Sequence, residues 1–456
     1  MRLNGPRTAA AWRRIAPAHP AQVIVLGFAG AIAAGTAVLM LPAAKQGPGG
    51  ASLLEALFTA TSAVCVTGLS TVDVEHFWTP FGHTVIMVLI QVGGFGVMSF
   101  GTLLGILLAR RLGLRSRIST AAETRAVGFG DLRAVLLGVL KVGLATEAAV
   151  AAVLTARFMA GYGYSFGDGL WHGVFHAVSA FNNAGFALFS DNLIRFAGDP
   201  WICLPIAAGI IIGGIGFPVL FELRRHYRTP QHWTITTKLV LSGTLVLLAA
   251  GTVFITALEW NQPGSLGPLP PGQKVLAGFF QSTVTRTAGF NSVDIGQMHP
   301  ATWLFMDILM FIGGGSAGTA GGLKITTFAV LFFIMRAEIR GEQVVNVFNR
   351  RLSRSVHREA ITVVLLAVGL VVASTMVLML IEGRFGLDRL LFESVSAFAT
   401  VGLTTGITGQ LGPAGQLVLV LLMFVGRLGP VTLASALALR QRPILFEFPK
   451  ERPLIG

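Results

Sequence analysis

Long apolar runs with few charged residues alternate with short polar segments along this chain. Six of these runs are long enough to cross a bilayer: residues 22–42, 84–109, 201–221, 239–258, 361–381 and 416–439. Two further runs, 134–156 and 303–335, contain internal charges or a glycine-rich break. About 20 helical residues, each rising about 1.5 Å, span a hydrocarbon core of roughly 30 Å. The pattern therefore predicts about eight membrane-spanning helices.

The composition agrees with lipid as the surrounding solvent, since 53% of the 456 residues are hydrophobic and 12% are charged. Lys and Arg outnumber Asp and Glu by 34 to 21, a net charge of +13. Most of the basic residues fall in alternate loops, within segments 2–14, 110–133, 224–238, 336–358 and 440–452. The positive-inside rule assigns these segments and both termini to the cytoplasmic side of the cell membrane. The excess charge thus reports topology and gives no support to nucleic-acid binding.

Four shorter apolar stretches occur between the predicted spans: 53–65, 170–182, 274–286 and 389–399. About a dozen helical residues at about 1.5 Å each cannot cross the bilayer. We therefore expect short helices that enter from the outer side and return to it. Irregular backbone at membrane depth survives only inside protein or beside a water-filled cavity. Four such segments in one chain predict that they meet around a common pore.

A shared register relates the four short stretches. Each is followed by a glycine, and these glycines are 117, 104 and 113 residues apart: Gly68, Gly185, Gly289 and Gly402. Ten residues upstream of each glycine stands a phenylalanine: Phe58, Phe175, Phe279 and Phe392. Six residues upstream stands a hydroxyl residue: Ser62, Ser179, Thr283 and Ser396. This agreement indicates a fourfold internal repeat of span, short helix, glycine loop and span.

The glycine loops are the candidate ion-binding site. Each short helix directs the negative end of its dipole toward the centre, where a cation is stabilised. Glycine allows the dihedral angles that turn backbone carbonyls inward, and these oxygens replace the hydration shell of an ion. The predicted filter comprises Val66, Thr67, Gly68, Asn183, Ala184, Gly185, Thr287, Ala288, Gly289, Thr400, Val401 and Gly402. This form of ion selection requires no ring of acidic side chains.

The sequence around these loops resembles the membrane subunit of the Ktr/Trk/HKT superfamily of potassium transporters. The resemblance covers residues 23–440 and rests on FTATSAVCVTGLS, FHAVSAFNNAGF, FFQSTVTRTAGFNSVD, FESVSAFATVGLTT and GGGSAGTAGGLK. A single span precedes the first filter glycine, which favours the KtrB type over Trk subunits with extra N-terminal helices. The resemblance implies an all-α polytopic membrane protein with four repeats of helix, re-entrant pore helix, filter loop and helix around a pseudo-fourfold pore.

The same resemblance implies a potassium transporter that binds K+ at the filter carbonyls. It also implies a homodimer in the membrane lipid and a cytoplasmic ring of KtrA-type nucleotide-binding subunits. Related plant transporters with serine at the first filter position favour sodium, so Gly68 points to potassium, with sodium coupling left open. A less selective Na+/K+ pathway or a Trk-type subunit is the alternative. No covalently bound cofactor is expected, and ATP or ADP would act only through the partner because the chain lacks a P-loop.

The repeats divide the chain into six segments. They are a cytoplasmic N-terminal segment at 1–20, repeat 1 at 21–115, repeat 2 at 131–228, repeat 3 at 236–340, repeat 4 at 356–440 and a cytoplasmic C-terminal tail at 441–456. An intramembrane enzyme is the competing class for this composition. It would be expected to contain an H-E-x-x-H motif, a G-x-S-x-G motif or paired aspartates at membrane depth, and we expect the chain to lack all three. The sequence therefore predicts a protein that is not an enzyme.

Small residues recur in the second span of each repeat. Measured from the filter glycines, Gly94, Gly214, Gly314 and Arg427 stand at +26, +29, +25 and +25. In the first two repeats the glycines indicate close helix packing. The third cluster is too rich in glycine for a stable helix, so the span should break there, as a passive kink or as a loop beneath the filter. The resemblance favours a gate, with candidate residues Gly313, Gly314, Gly315, Ser316, Ala317, Gly318, Thr319, Ala320, Gly321, Gly322, Lys324 and Arg427.

Five other ionisable residues lie within or beside the predicted spans: Lys141, Glu147, Arg286, Asp307 and Glu393. Charged side chains at membrane depth generally face the protein interior and find partners there. Lys141 and Glu147 are expected to contact neighbouring helices. Arg286 and Asp307 belong to one repeat and are expected to form a pair. Glu393 follows a pore-helix phenylalanine and is expected to orient that helix.

Overall fold

The computed structural model describes residues 20–111 and 132–429, and the predicted all-α class is confirmed. Repeats 1 to 4 denote here the four segments predicted from the sequence. The segment of repeat 1 contains α1 (Pro20–Leu39), α2 (Leu53–Val64), α3 (Val74–Phe77) and α4 (Pro80–Arg111). Repeat 2 contains α5 (Leu132–Tyr162), α6 (Phe166–Phe181), α7 (Pro200–Ile215) and α8 (Phe217–His226). Repeat 3 contains α9 (Ile235–Glu259), α10 (Pro271–Val284), α11 (Pro300–Phe311) and α12 (Ile325–Ile339). Repeat 4 contains α13 (Arg354–Ile381), α14 (Leu387–Ala399) and α15 (Pro413–Leu428).

The connections between these helices contain short regular elements. Four 3-10 turns occur, at Ile194–Phe196, Pro230–His232, Ile295–Gln297 and Thr408–Gln410. An antiparallel hairpin of Asn346–Val347 and Arg350–Arg351 joins repeats 3 and 4. The predicted N-terminal segment up to residue 19, the link at 112–131 and everything from residue 430, including the predicted tail, lie outside the described residues.

Within residues 20–111 and 132–429, the spans are fewer than the eight expected from hydropathy. Five helices of this described part are long and apolar enough to cross a membrane, namely α1, α4, α5, α9 and α13. The pair α7 and α8 makes a sixth span, bent by 98° at Gly216, whose φ of +94° suits glycine. The other two predicted spans differ because residues 312–324 break one into α11 and α12, while α15 ends at Leu428, next to the edge of the described chain.

The four pore helices α2, α6, α10 and α14 have 12, 16, 14 and 13 residues. Two of them begin at serine caps, since Ser52 and Ser165 accept hydrogen bonds from the amides of Glu55 and Asp168. The cap at Ser165 extends α6 four residues beyond the predicted start at 170. The phenylalanines ten residues before the filter glycines are buried in repeats 1, 2 and 4. These rings belong to one hydrophobic core that surrounds the four glycine loops.

Glycines on the second spans make room for the ends of the pore helices. A side chain at Gly93, Gly213 or Gly426 would collide with the carbonyl of Val64, Phe181 or Phe398, each four residues before a filter glycine. Gly94 instead faces the side chain of Asn182. The close packing predicted for the first two glycine clusters is therefore observed. It brings the C-terminal end of each of these three pore helices to the same depth in the molecule.

Candidate functional site

The backbone of the four glycine loops has one shared conformation. Two residues before each glycine, φ is positive: 55° at Val66, 60° at Asn183, 68° at Thr287 and 51° at Thr400. The glycines follow with 96° at Gly68, 69° at Gly185, 69° at Gly289 and 97° at Gly402. The residue between each pair has no positive φ. Alternation of left-handed and ordinary dihedrals turns successive carbonyls toward the same side of the strand, as a carbonyl-lined ion pathway requires.

Left-handed backbone at a residue with a side chain costs about 1–2 kcal/mol, and it is least common for β-branched residues such as Val66, Thr287 and Thr400. Hydrogen bonds to the pore helices offset this strain. The amide of Thr67 donates to the carbonyl of Ser62 at 2.8 Å. The equivalent bonds in repeats 2 and 4 measure 2.7 and 2.8 Å. The amides are thereby turned to the pore helices, and the carbonyls of the same residues remain available as ligands.

The hydrogen-bonded turn that leads into the third filter loop is one residue shorter than in the other three. Its Ala288 amide donates to the carbonyl of Val284, four residues back, at 3.0 Å, whereas the other three loops bond five residues back. The same shift explains a correction to the predicted register. Phe279 is half-buried, and Phe280, the next residue, is the one fully buried in the core. The filter is therefore fourfold only approximately.

The hydroxyl residues of the repeat have different partners. The amide of Gly68 donates to Ser62 Oγ at 3.0 Å, and the amide of Gly402 donates to Ser396 Oγ at 3.1 Å. Ser179 Oγ is buried without a partner. Thr283 Oγ1 donates to the Phe279 carbonyl at 2.9 Å within its own helix. Serine thus supports the filter glycine in two of the four repeats.

The four glycines form a closed ring. A side chain on each one would meet the next glycine Cα and the carbonyl of the residue before that glycine, in the order Gly68, Gly185, Gly289, Gly402 and back to Gly68. The carbonyls that occupy the ring belong to Thr67, Ala184, Ala288 and Val401. Eight of the twelve predicted filter residues, the glycines and the residues directly before them, therefore come together in one ring. Glycine is required there because a methyl group would clash with neighbouring backbone.

The glycine-rich break in the third repeat forms a loop between α11 and α12. Its neck is closed by backbone hydrogen bonds, from Gly313 to the carbonyl of Leu323 at 2.8 Å and from Ile325 to the carbonyl of Gly314 at 3.0 Å. Two bonds join the loop to the second repeat, from Gly315 to Gly214 at 2.8 Å and from Thr319 to Gly213 at 3.1 Å. These bonds satisfy backbone groups that a broken helix would otherwise leave unpaired at membrane depth.

The loop touches the filter directly. Thr319 Oγ1 lies 3.0 Å from Asn183 Oδ1 and 3.3 Å from the Phe181 carbonyl. On the opposite side, Gly321 packs so closely on Thr400 that a side chain would collide with its hydroxyl. Both Asn183 and Thr400 are the left-handed residues of their filter loops. The contact of Asn183 with the loop was not expected from the sequence, where only its carbonyl was assigned a role.

Three cationic side chains hold carbonyls of this loop. Arg427 Nη1 donates to Thr319 at 2.5 Å, Lys324 Nζ to Ala320 at 2.5 Å, and Arg286 Nη2 to Gly313 at 3.4 Å. Arg427 and Arg286 are 7% and 8% exposed. Within the part of the chain that the structure describes, none of the three forms an ion pair with a carboxylate. Arg427 and Lys324 therefore contact the loop where the sequence placed them.

Two sequence expectations about charged residues are wrong. Arg286 and Asp307 form no ion pair, because Arg286 turns to the Gly313 carbonyl while Asp307 Oδ1 is buried without a partner. Lys141 is exposed on the outer face of α5 and contacts no neighbouring helix through an ion pair or hydrogen bond in the described chain. A lysine at such a position extends its stem along the apolar surface toward water.

Two other expectations agree with the contacts. Glu393 accepts hydrogen bonds from Thr404 Oγ1 at 2.6 Å, the Thr405 amide at 3.0 Å and Thr408 Oγ1 at 2.7 Å. It therefore ties the fourth pore helix to the segment that follows the filter. Glu147 contacts neighbouring helices through the amide side chains of Gln91 and Asn182.

The expectation that the chain lacks a G-x-S-x-G motif is wrong, because residues 314–318 of the loop match this pattern of serine hydrolases. Ser316 Oγ lies 3.3 Å from Thr326 Oγ1. A serine nucleophile needs an adjacent general base, and among the described residues no histidine contacts Ser316.

At the outer mouth, Asp73 begins α3 and accepts from the Glu75 amide at 3.0 Å. Burial disfavours ionisation of Asp73, but hydrogen bonds from Ser190 and His76 outweigh it and lower the pKa of its carboxyl. The carboxylate joins the outer loops of repeats 1 and 2, since Ser190 Oγ donates to it at 2.6 Å. This loop junction lies outside the filter ring.

Comparisons with known proteins agree with this arrangement. The TrkH family, described as cation transport proteins, matches residues 20–443. The chain belongs to this family. It is 40% identical over 419 residues to the Ktr system potassium uptake protein B of Bacillus subtilis, covering 92% of this chain and 93% of that protein. It is 33% identical to the potassium/sodium uptake protein NtpJ of Enterococcus hirae, covering 96% of this chain and 97% of that protein.

A solved structure supports the same fold. The crystal structure of the potassium transporter TrkH from Vibrio parahaemolyticus matches with a TM-score of 0.72 at 16% identity, covering 94% of this chain and 88% of that chain. At 16% identity, this structural similarity shows a shared fold and nothing more. The resemblance to the Ktr/Trk superfamily predicted from the glycine loops is confirmed. The TrkH family is a family of transporters and not of enzymes.

The serines that support the filter glycines can be tested separately from the one that does not. Replacing Ser62 or Ser396 by alanine removes the acceptor for a filter glycine amide, so each change should lower the free energy of unfolding by about 1 kcal/mol. Ser179→Ala is the matched control, because its hydroxyl has no partner. Thermal unfolding of the purified protein measures the difference. Equal losses in all three variants would contradict the assigned contacts.

Proposed function

We propose that this chain is the ion-conducting subunit of a potassium uptake system and passes K+ through the four-glycine filter. The closed ring of Gly68, Gly185, Gly289 and Gly402, with four carbonyls inside it, is the observation that carries this proposal. The named functions of the relatives in Bacillus subtilis and Vibrio alginolyticus, both Ktr system potassium uptake protein B, support K+ as the ion. No covalent chemistry is involved.

The mechanism follows from the geometry of the loops. An ion must lose its hydration shell to enter the ring, and preformed carbonyl oxygens replace that shell without reorganising. Loop amides are bonded to the pore helices, so the loops hold these carbonyls in place. The helix C-termini contribute negative dipole ends toward the ion, roughly half an elementary charge for each helix. K+ at the filter carbonyls therefore needs no acidic side chain.

A less selective Na+/K+ pathway is the second candidate. The hydrogen-bonded turn of the third loop is one residue shorter and its glycine amide has no serine support, so the ring is not symmetric. The Enterococcus hirae relative is named a potassium/sodium uptake protein. Glycine at all four filter positions still favours K+, since no side chain narrows or displaces the carbonyl ring. Coupling of Na+ to K+ movement is part of this second candidate, and measurement of Na+ and K+ flux in the same liposomes tests it.

The loop formed by residues 313–322 is proposed as the gate. It touches the left-handed filter residues Asn183 and Thr400, so an ion that leaves the filter toward the cytoplasm must displace it. Arg427 and Lys324 hold its carbonyls and add positive charge beneath the filter. Both effects oppose K+ passage while the loop is in place. Opening then requires that these charge-assisted hydrogen bonds break.

The partners belong to the proposal as well. A homodimer in the cell membrane and a cytoplasmic KtrA-type nucleotide-binding ring are proposed from the resemblance and from the Ktr system names of the relatives. Both termini and the basic segments 224–238 and 336–358 are assigned to the cytoplasm, where they would face an acidic or nucleotide-loaded partner. We also propose that the six segments predicted from the sequence, with their four repeats, are the domain organisation of the chain.

The filter assignment predicts a loss of discrimination when a side chain enters the ring. Gly68→Ser and Gly402→Ser should each lower the K+/Na+ flux ratio about tenfold, since an energy of about 1.4 kcal/mol at one ion site has that effect. Initial fluxes of K+, Rb+ and Na+ into liposomes that contain only this chain measure the ratio. Gly369→Ser, on α13 with open space around it, is the control. Unchanged discrimination in both filter variants would rule out the filter.

The gate assignment predicts faster flux when the loop loses its support. Arg427→Ala, or deletion of residues 315–319, should raise initial K+ flux about tenfold, because a hydrogen bond to a charged group contributes about 1.5–3 kcal/mol. The K+/Na+ ratio should stay near the parental value, since the filter lies on the outer side of the loop. Flux is measured for each amount of folded protein.

Arg384→Ala is the matched control for the gate, because Arg384 also donates to a carbonyl, that of Gln410, but on the exposed outer surface. It should leave flux unchanged. If Arg427 serves only in helix packing, Arg427→Ala lowers both stability and flux. A well-folded deletion variant that transports no faster than the parent would exclude a gating role for the loop.

The regulator is tested with the partner itself. A soluble nucleotide-binding protein should co-purify with this chain from its native host, and flux should change when ATP replaces ADP. The nucleotide acts through the partner, because this chain has no P-loop. The chain alone, in the same liposomes with the same nucleotides, is the control and should show no response. Recovery of the chain without such a protein, with flux insensitive to nucleotide, would refute the proposed nucleotide-binding regulator.

A further inference from the structure

A buried carboxylate lies behind the second filter loop and belongs to neither the filter nor the proposed gate. Glu147, on the membrane-spanning helix α5, is 6% exposed. It has no cationic partner in the described residues, and both its oxygens accept from Gln91 Nε2, at 3.1 and 2.9 Å. An ionisable group in a span that contacts no pore ion or gate residue calls for its own explanation.

The contacts of Glu147 lead to the filter. Asn182 Nδ2 donates to Glu147 Oε1 at 3.1 Å, to Gln91 Oε1 at 2.7 Å and to the Val178 carbonyl at 2.9 Å. Asn182 is fully buried, ends the second pore helix and directly precedes Asn183, the left-handed residue of the filter loop. Gln91 belongs to α4 of the first repeat. The three side chains therefore join two repeats immediately behind one filter loop.

The second filter loop needs this support more than the first or the fourth. Its glycine amide receives no serine hydroxyl, since Ser179 Oγ has no partner, whereas Ser62 and Ser396 hold the glycines of repeats 1 and 4. Gly94 on α4 leaves the space that the Asn182 side chain occupies. A side chain at residue 94 would displace Asn182 and open the network.

We propose that Glu147 is a positioning residue for ion discrimination, acting through Gln91 and Asn182 on the second filter loop. A carboxylate suits this place because it only accepts hydrogen bonds, and two amide groups, of Gln91 and Asn182, donate to it. Glutamine at residue 147 keeps one acceptor oxygen but turns its NH2 group toward the Nε2 of Gln91, where Glu147 Oε2 accepts a hydrogen bond at 2.9 Å. The inference rests on the proposed K+ filter and adds a residue that touches neither the ion nor the gate.

The first test uses K+ and Na+ flux into liposomes. E147Q should lower the K+/Na+ flux ratio about tenfold, because a buried donor that loses its acceptor destabilises the filter by about that factor. The exchanged variant Q91E/E147Q restores one acceptor-only carboxylate and one amide in contact, and most of the ratio should return. E259Q is the matched control, since Glu259 is equally buried and accepts from the His299 amide and Thr302, away from the filter. It should lower thermal stability and leave the ratio unchanged.

A parental ratio in E147Q would overturn the inference, and so would a low ratio in a stably folded Q91E/E147Q. Should E147Q not accumulate in membranes, E147D keeps the acceptor but withdraws it by one methylene. A partial loss of the ratio is then expected, and a parental ratio again counts against the inference.

Amide hydrogen exchange of residues 179–190 gives a second readout that does not depend on selectivity. Exchange should be faster in E147Q and return to the parental rate in Q91E/E147Q. Parental exchange in E147Q overturns the inference even if the unaltered chain fails to discriminate K+ from Na+. Failure of the unaltered chain to discriminate, with exchange responding as expected, contradicts the proposed function and the role in discrimination, and supports only the structural link from Glu147 to the second filter loop.

Discussion

The structure depends on one constraint: irregular backbone at membrane depth must find hydrogen-bond partners without water. In the filter loops the protein supplies hydrogen-bond partners for the amides but not for the carbonyls. The amides of Thr67, Ala184 and Val401 donate to carbonyls of the pore helices, while the carbonyls of the same residues lie within the ring of glycines. The oxygens that face the ring are left for a cation. The short pore helices, the glycines on the neighbouring spans and the left-handed residues all serve this division between bonded amides and free carbonyls.

Because the four repeats lie in one chain, equivalent positions can have different residues with different contacts. Three residues before the filter glycine, the repeats have Cys65, Asn182, Arg286 and Ala399. Asn182 connects to Gln91 and Glu147, and Arg286 reaches the carbonyl of Gly313. Within the described residues, the second span of repeat 3 is broken by a loop at residues 312–324, that of repeat 2 is bent at Gly216, and only the third filter turn is one residue shorter. A ring built in this way is fourfold only approximately and has four chemically different walls.

The cationic side chains around the glycine-rich loop also satisfy irregular backbone, because they donate hydrogen bonds to its carbonyls. Arg427, Lys324 and Arg286 face carbonyls and not carboxylates. A carbonyl satisfies a buried cation less completely than a carboxylate does, so the contact holds the loop and leaves net positive charge in the protein interior. Arg427 Nε and Nη2 are buried without a protein partner, so the guanidinium is only partly satisfied by its contact with the loop.

The sequence by itself determined the membrane class, the short pore helices and the loops that meet at the centre. These features repeat four times or depend on local chemistry, such as glycine at residues 68, 185, 289 and 402. Three-dimensional contacts decided the rest. The shorter third turn, the contact of Asn183 with Thr319 and the partner of Arg286 each join residues far apart in the chain or depend on a shift of one residue. No local pattern encodes them, because a buried charge accepts any suitable group that packing brings within reach, and packing is a property of the whole fold.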